Sequence, residues 1–548
     1  MSTPSCSMTV VKERFPEHQG PGLIRRGNSS CSTVVGPPPS SRKPSEIEVS
    51  EKAWKSSSEP PQHTSPDTLT LPPPAHISDA QNFRVARDIF ISDIEKQPDW
   101  TAFASHELAE KNHGSIFRNI RFRIMSMYRR LFTVVFLVNL TVAITFAVTG
   151  TARIDRLAGA ALGNLTASVL IRNDHIVNFL FRTLSSIPKS WPLGVRQYCA
   201  KIYNFGGIHS GCGVFSLVWL LWMTGVITRT YMSGDGVISR TTLVLCWLVV
   251  CLLFLICASA YPVVRQYYHN YFEMSHRFAG WASICLVWGL IVTLTRDTHH
   301  LTTPGQIPLQ LVRTHAFWFL AVTTACLVHP WLHLRKLNVT TEVLSSHTCR
   351  IYANDRSYIR PYPGSFVRVS TNPLFEWHSF AAIAWPESRG ASCDHSIVVS
   401  RAGDWTSRTI AHPPQKLWYK GVPTCGVLHV SKLFHKIILI ATGSGIGPCL
   451  AVMKAGQVSC RVLWSTRAPR DTYGDRIVDD VLAIDPKAVI YDTGKGGGRP
   501  DVVKMAYSLY VDAAAEAVVI ISNPKLTYQV VYGFESRGVP AYGAIWDS

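Results

Sequence analysis

The 14 cysteines include no C-x-x-C pair and are scattered along the 548 residues. That spacing argues against a disulfide framework and against an iron–sulfur site. The G-x-G-x-x-G fingerprint of dinucleotide-binding folds is missing, as is the G-x-x-x-x-G-K-[ST] phosphate loop. The run Lys495-Gly496-Gly497-Gly498 has neither spacing and reads as a flexible loop. Residues 1–9 hold no apolar core, so no cleavable signal peptide is expected. Acidic residues are few, 36 against 54 Lys and Arg, for a formal net charge of +18. The basic excess crowds the N-terminal third and the flanks of apolar runs, which fits contact with a membrane surface. No zinc-ligand spacing or aromatic-basic RNA motif accompanies it, so no nucleic-acid partner is expected.

What is present comes in blocks, since the chain is too long for one soluble core. Residues 1 to about 105 are rich in Pro, Ser and charge, as in GPPPSSRK at 36–43, and read as a disordered cytosolic tail. Residues 117–130 form a basic amphipathic approach to a membrane, with Arg118, Arg121, Arg123, Arg129 and Arg130. Apolar runs follow at 131–149, 157–181, 205–228, 241–261, 276–295 and 310–331, so residues 117–335 are expected to form a six-helix transmembrane bundle. The second run is interrupted by Arg172-Asn173-Asp174-His175, ionisable groups of the kind that mark a site or a buried pair. On one side of the bundle lie the five arginines before the first run, then Arg182, Lys189, Arg196 and Lys201, then Arg335 and Lys336. The other side has Arg153, Arg156, Arg229, Arg240, Arg296 and Arg313. This bias puts both ends of a multi-pass integral membrane protein in the cytosol.

Residues 340–430 alternate like a small β-barrel, at 367–369, 380–383 and 396–400. Residues 434–548 alternate strand and helix: strands at Lys436–Thr442, 461–464, 488–491 and 517–522, helices at 475–482 and 501–511. The first of these strands breaks at Gly443-Ser444-Gly445-Ile446-Gly447-Pro448, and residues 450–454 then read as helix. Pro448 falls near the first helical position, where a missing N–H costs nothing. A strand, a glycine turn and a helix N-terminus together make an anion site, because the backbone can approach a pyrophosphate and the free N–H groups favour its charge.

The turn Thr442 to Pro448 resembles the T-G-x-G-I-x-P turn of the ferredoxin–NADP reductase family. Six spans, a β-domain and an α/β domain in that order resemble the ferric reductases and NADPH oxidases. The closer resemblance, over about residues 117–548, is to fungal TmpA-like integral membrane flavoproteins. It is carried by YNFGGIHSGC at 203–212, GDWT at 403–406, the glycine turn and the tail AYGAIWDS at 541–548. The resemblance implies a β-barrel of FAD type, an NAD(P) domain, and flavin reduction by NADPH (or NADH) at the cytosolic face. Thr442, Gly443, Gly445, Gly447 and Pro448 would meet the nucleotide phosphates. Ser465 and Arg467, with Arg470 close behind, stand where that family holds the 2′-phosphate of NADPH; a planar guanidinium suits phosphate, and a solvated loop charge is the alternative. Asn523, in Ser522-Asn523-Pro524, stands where the family has Cys-Gly-Pro beside the nicotinamide. Trp546 stands where relatives carry an aromatic over the flavin, or serves in packing. His378, Ser379 and Phe380 stand where relatives carry H-P-F-T or R-x-Y-S against the isoalloxazine, but the hydroxyl residue has become Ala381; barrel packing is the alternative for His378. Arg401 and Arg408 flank the GDWT segment and would serve the FAD pyrophosphate.

Haem-bearing relatives place two histidines on the third span and two on the fifth. This chain has His209 and His276 alone, with Trp222, Met223, Gly289 and Leu290 at the outer places. One haem b between His209 and His276 is one reading; hydrogen bonding to another helix or to a flavin group is the other. The expected function is that of a membrane-bound flavoprotein oxidoreductase. It would pass electrons from NADPH through FAD to a cytosolic or membrane-dissolved acceptor, a small molecule or a protein, with membrane lipid as the other partner. The alternatives are a transmembrane ferric or oxygen reductase and a redox or nucleotide sensor without turnover, the last in keeping with Ala381 and Asn523.

Overall fold

The computed structural model describes residues 100–301, 304–353, 361–384, 395–495 and 498–544, all in one compact unit. The tail to 99 and Trp546 lie outside the described residues. The tail was expected to reach about 105, but Trp100–Phe103 is a helical turn and Phe103 packs on the nucleotide-type domain.

The helical part comprises α1 (Met127–Val148), α2 (Ile154–Leu170), α3 (Asp174–Leu184), α4 (Gly206–Met232), α5 (Arg240–Ser259), α6 (His269–Thr298) and α7 (His315–Leu332). Among the described residues, α1, α4, α5, α6 and α7 are long and apolar enough to cross a membrane. The run 157–181 is not one straight span: α2 and α3 meet at a bend of 68°. The cause is local, because Asn173 accepts a hydrogen bond from the backbone N–H of His175 at 3.0 Å and so caps a new helix. α4 packs closely on α1 because Gly207 and Gly211 face it. A Cβ on Gly207 would overlap the Tyr128 carbonyl, and one on Gly211 would lie 3.0 Å from Val135 Cβ. Asn139, buried on α1, accepts from Trp219 Nε1 at 2.7 Å and from Asn164 Nδ2 at 2.8 Å, so these polar groups are satisfied within the bundle.

The barrel begins at β1 (Arg335–Val343), a few residues before the expected 340, and continues through β2 (Thr348–Ala353), β3 (Ser365–Ser370), β4 (His378–Ala381), β5 (Ile383–Ala384), β6 (His395–Ser400) and β7 (Lys416–Cys425). Its antiparallel order is β4-β3-β7-β1-β2-β6-β5. The two edge strands β4 and β5 are consecutive in the chain, separated by Ala382, so the sheet curls back on itself. Its interior holds Ile351, Val369, Ile397, Val399 and Leu417, and a short helix, α8 (Asp404–Ala411), contributes Trp405 and Ile410.

The last part is a parallel sheet of β8 (Lys436–Thr442), β9 (Ser459–Thr466), β10 (Val489–Asp492), β11 (Ala517–Ile521) and β12 (Ala541–Gly543), ordered β10-β9-β8-β11-β12. Its longer helices are α9 (Ile446–Ala455), α10 (Asp475–Ile484), α11 (Val502–Asp512) and α12 (Pro524–Glu535), with a single helical turn at Pro469–Tyr473. Residues 437–441 and 517–521 are fully buried, as expected for strands covered on both faces.

The ends of α2, α4, α6 and α7 expected on the cytosolic side are those that meet the two β-containing parts. Arg196, 5% exposed, holds Glu516 with two hydrogen bonds of 2.8 and 3.0 Å. This contact and His435 depress the Glu516 carboxyl to about 2. Lys420 on β7 lies 4.6 Å from the ring centres of both Trp331 and Trp377. Its burial, and the nearby Arg368 and Arg277, push its ammonium well below the usual range.

Candidate functional site

The sheet order reverses direction between β8 and β11, and in such sheets ligands bind outside the carboxyl ends of the strands at that reversal. Thr442 ends β8 and Ser522 follows β11; their hydroxyl oxygens are 2.6 Å apart and close the floor of the crevice. The glycine turn begins directly above. Gly443 sits at φ +51°, a left-handed conformation, and its carbonyl accepts from Trp464 Nε1 at 2.9 Å. Gly445 has no room for a side chain, since a Cβ would overlap the Ile521 carbonyl. A Cβ on Gly447 would lie 3.1 Å from Val398 Cβ, so this glycine lets α9 seat against the barrel. The three glycines thus do different work: one turns the chain, one clears the neighbouring strand, one closes the domain contact. Pro448 lies within the first turn of α9, as its chemistry requires.

Ser465 pairs with Thr442 across the sheet at the carboxyl end of β9 and is 7% exposed. Arg467 follows on the rim; it is exposed, and its stem passes Gly494. Arg470 is not a second phosphate ligand, because its guanidinium is occupied by Asp475 at 2.7 Å and Asp479 at 3.2 Å. Asn523 is a helix cap: its side chain accepts from Leu526 N–H at 3.0 Å at the start of α12. Residues not anticipated from sequence complete the crevice. Ser522 is one. Asp492 is another, whose carboxylate accepts from the N–H groups of Ala468 and Gly494, both at 2.8 Å, and shapes the rim around Arg467. The signal for both was their place at strand ends, which only the strand order makes meaningful.

The expected flavin residues lie on β4 and around α8. His378 stacks on Trp405 with ring centres 4.2 Å apart, and its Nε2 is 3.6 Å from Glu376. Phe380 is 6% exposed and sits in the barrel core against Trp405, so it is a packing residue. Ser379 is 6% exposed, and Ala381 joins the apolar core shared with Ile446 and Cys449. Ser379, Phe380 and Ala381 are therefore buried in the barrel wall, whereas the His378 side chain is 22% exposed. Arg401 is exposed, and Arg408, in the last turn of α8 and 69% exposed, lies 3.9 Å from Glu376.

His209 and His276 face one another across the bundle with ring centres 6.4 Å apart. His209 Nδ1 lies 2.8 Å from the Ser168 carbonyl, which can only accept; Nδ1 therefore carries the hydrogen and Nε2 keeps its lone pair. Among the described residues, no three His, Cys, Asp or Glu side chains converge as a metal site.

The sequence profile of the C-terminal domain of adenylate-forming reductase 03009 matches residues 427–548. Adenylate-forming reductase 03009 of Coprinopsis cinerea is 44% identical over 458 residues, 83% of this chain and 44% of that protein. Adenylate-forming reductase 06235 of the same fungus is 43% identical over 449 residues, 82% of this chain and 43% of that protein. The chain is homologous to fungal adenylate-forming reductases. It spans less than half the length of these two relatives. They carry that name rather than the name of TmpA-like proteins or ferric reductases. Among solved structures, a ferredoxin NADP+ reductase from Neisseria gonorrhoeae with bound FAD and NADP is 12% identical, covers 38% of this chain and 98% of its own, and gives a TM-score of 0.32. Phthalate dioxygenase reductase is 17% identical, with 39% and 69% covered and a TM-score of 0.29.

Proposed function

We propose that this chain is a membrane-bound oxidoreductase that takes electrons from NADPH at the cytosolic face and passes them to a cytosolic or membrane-dissolved acceptor. The observation that carries the reading is the glycine turn at the reversal of a parallel sheet, with an exposed arginine on its rim. The backbone of Gly443, Gly445 and Gly447 would hold the nucleotide pyrophosphate, Thr442 and Ser522 would floor the site, and Arg467 with Ser465 would take the 2′-phosphate. Arg401 and Arg408 would hold the pyrophosphate of FAD. When bound, a flavin supplies an acceptor of hydride that can release electrons singly. His209 and His276 would hold one haem b at the inner end of the bundle, a one-electron carrier. Their ring separation is about twice the distance from a metal to the centre of an imidazole it binds at roughly 2.0 Å. The five long apolar helices and the basic flanks support a membrane setting. The word reductase in the names of the relatives agrees with the direction of the chemistry.

A sensor without turnover is the second reading, and it is favoured by one feature: Phe380 and Ala381 of the barrel strand are buried in apolar cores, and Ala381 brings no hydroxyl. Purified full-length protein separates the two. Sustained NADPH oxidation together with a flavin absorption spectrum supports the enzyme. Nucleotide binding without either supports the sensor.

A further inference from the structure

We propose that the cleft between α3 and the barrel binds the phosphate-bearing headgroup of an anionic membrane phospholipid. The proposal rests on the membrane setting given above. α3 leaves α2 at a bend of 68°, at the end of the bundle that meets the barrel. Its inner face is buried through Asp174, Val177 and Phe181. The opposite stripe, His175, Phe179, Arg182 and Ser186, recurs at i, i+4, i+7 and i+11 and is exposed throughout. With Thr183 and Tyr362, this stripe lines an open cleft of about 420 Å³.

The chemistry of the lining selects an anion. Among the described residues, none that lines the cleft is acidic. Arg182 makes no ion pair among the described residues, and its guanidinium lies 5.2 Å from the ring centre of Tyr362, against which it packs at the cleft. The nearest carboxylate on the helix, Asp174, is turned inward onto Arg368. The hydroxyl of Thr183 and the imidazole of His175 add short-range donors, while Ser186 donates its hydroxyl to the Arg182 carbonyl and keeps only acceptor capacity. Arginine among such donors suits a phosphate, which can take two charge-assisted bonds from one guanidinium.

The same stripe says that the phosphate is on a lipid. Phe179 stands in the middle of it, 64% exposed, and the following segment exposes Trp191 at 50% and Tyr198 at 66%. A water-facing helix gains nothing from an exposed phenylalanine between an arginine and a histidine. At a bilayer interface the ring sinks toward the acyl chains while the basic groups reach the headgroups.

The test uses the full chain purified in a neutral detergent, with dioctanoyl phosphatidic acid, dioctanoyl phosphatidylcholine and inorganic phosphate as probes. Phosphatidic acid should bind and raise the unfolding temperature; the choline lipid should do neither. Arg182→Gln should weaken phosphatidic acid binding about 10-fold or more, the loss expected for one charge-assisted contact. Phe179→Ser should weaken the lipid while leaving inorganic phosphate as it was. Equal response to the two lipids, inorganic phosphate as tight as phosphatidic acid, or an Arg182→Gln protein that binds as well as the parent overturns the proposal. If Arg182→Gln does not fold, Arg182→Lys keeps the charge without the fork and should bind with intermediate affinity; unchanged binding overturns the proposal in that case. A chain released from membranes by alkaline carbonate overturns both this proposal and the membrane setting. One that stays in the membrane but ignores headgroup charge overturns this proposal alone.

Discussion

The carboxylate of Asp174 meets the guanidinium of Arg368 almost out of water, with 5% and 2% of the two side chains exposed. Asp174 is the first residue of α3, at the bend in the helical part, and Arg368 is on β3 of the barrel. Gly421 on β7 closes over the pair: it sits at φ +68°, and a Cβ there would overlap both the Asp174 carboxylate and the Arg368 guanidinium. The ionisable break in the second apolar run is thus half of a buried pair that fastens the helices to the barrel.

Removing one partner leaves a buried charge alone, which costs about 3–5 kcal/mol. Asp174→Leu should therefore lower the unfolding temperature sharply. Asp174→Leu combined with Arg368→Met should recover most of the loss, because two apolar side chains replace the pair. Gly421→Ala should be nearly as damaging as the single change. A double variant as unstable as Asp174→Leu would show that the pair itself is not the fastening.

Arg467 is exposed on the rim of the crevice proposed to hold NADPH, whereas Arg470 is tied to Asp475 and Asp479. Arg467→Ala should weaken NADPH binding roughly 10- to 100-fold, from the loss of a charge-assisted contact of about 1.5–3 kcal/mol. NADH binding should hardly change. Arg470→Ala should treat the two nucleotides alike. Titration calorimetry with both nucleotides decides it, and equal losses for Arg467→Ala would assign that residue to the fold.

Gly445 and Gly443 predict different penalties. At Gly443 the obstacle is a left-handed backbone, φ +51°, which costs an alanine about 1 kcal/mol. At Gly445 the obstacle is the Ile521 carbonyl, a backbone atom that cannot swing aside. Gly445→Ala should push α9 off β11 and abolish measurable NADPH binding, while Gly443→Ala should retain binding with a modest loss. Melting curves with and without nucleotide read both effects.

His429 supplies a pH dependence. It is 4% exposed, and Nδ1 lies 2.8 Å from the Pro363 carbonyl, so it is held neutral with its hydrogen on Nδ1. Burial, reinforced by Lys432 and Arg182, lowers it from 6.5 to about 4. The unfolded chain therefore takes up a proton before the folded one as pH falls. Stability is full above about 6.5, declines between 6.5 and 4, and levels off below, with a total on the order of 3 kcal/mol. His429→Gln should be less stable at pH 7.5 and show a flatter profile from 6.5 to 4. An unchanged slope would place the titration elsewhere.

How far the sequence revealed this molecule depended on how many surfaces each segment faces. Lys436–Thr442 and its glycine turn were legible because a doubly buried strand is a continuous apolar run and the turn chemistry is local. The barrel strand at His378–Ala381 was expected at 380–383, so it was legible as a strand with its bounds shifted, but not by role. Both its faces are covered, one by Trp405 and the other by the core shared with α9, so alternation no longer tells an inner residue from a ligand-facing one. Asn523 was legible as a break in pattern, and its capping of α12 follows from the Pro524 that succeeds it. The pairing of Asp174 with Arg368, 194 positions away, has no local signal at all.

The last expectation concerns the reach of electron transfer. His209 lies near the start of α4 and His276 is in the first third of α6, both toward the end that meets the barrel. Farther along, no imidazole takes the outer places: Trp222 stacks on Trp219 at 5.6 Å, Met223 and Leu290 are buried at 2% and 3% exposure, and a Cβ on Gly289 would already lie 3.7 Å from Leu245. Among the described residues, these outer places are filled by packed side chains without an imidazole, so they offer no second pair of histidine ligands for a carrier. A bilayer core is about 30 Å thick, so an electron at the inner histidines would still face most of it. Protein reconstituted in sealed vesicles, with the nucleotide domain on the NADPH side, should leave an impermeant acceptor trapped on the far side oxidised. A lipid-soluble acceptor, or one on the NADPH side, should be reduced. Rapid reduction of the trapped acceptor that requires both NADPH and this protein would establish the transmembrane reductase instead. Loss of that activity in Trp222→Phe would then place the missing step at the Trp219–Trp222 stack.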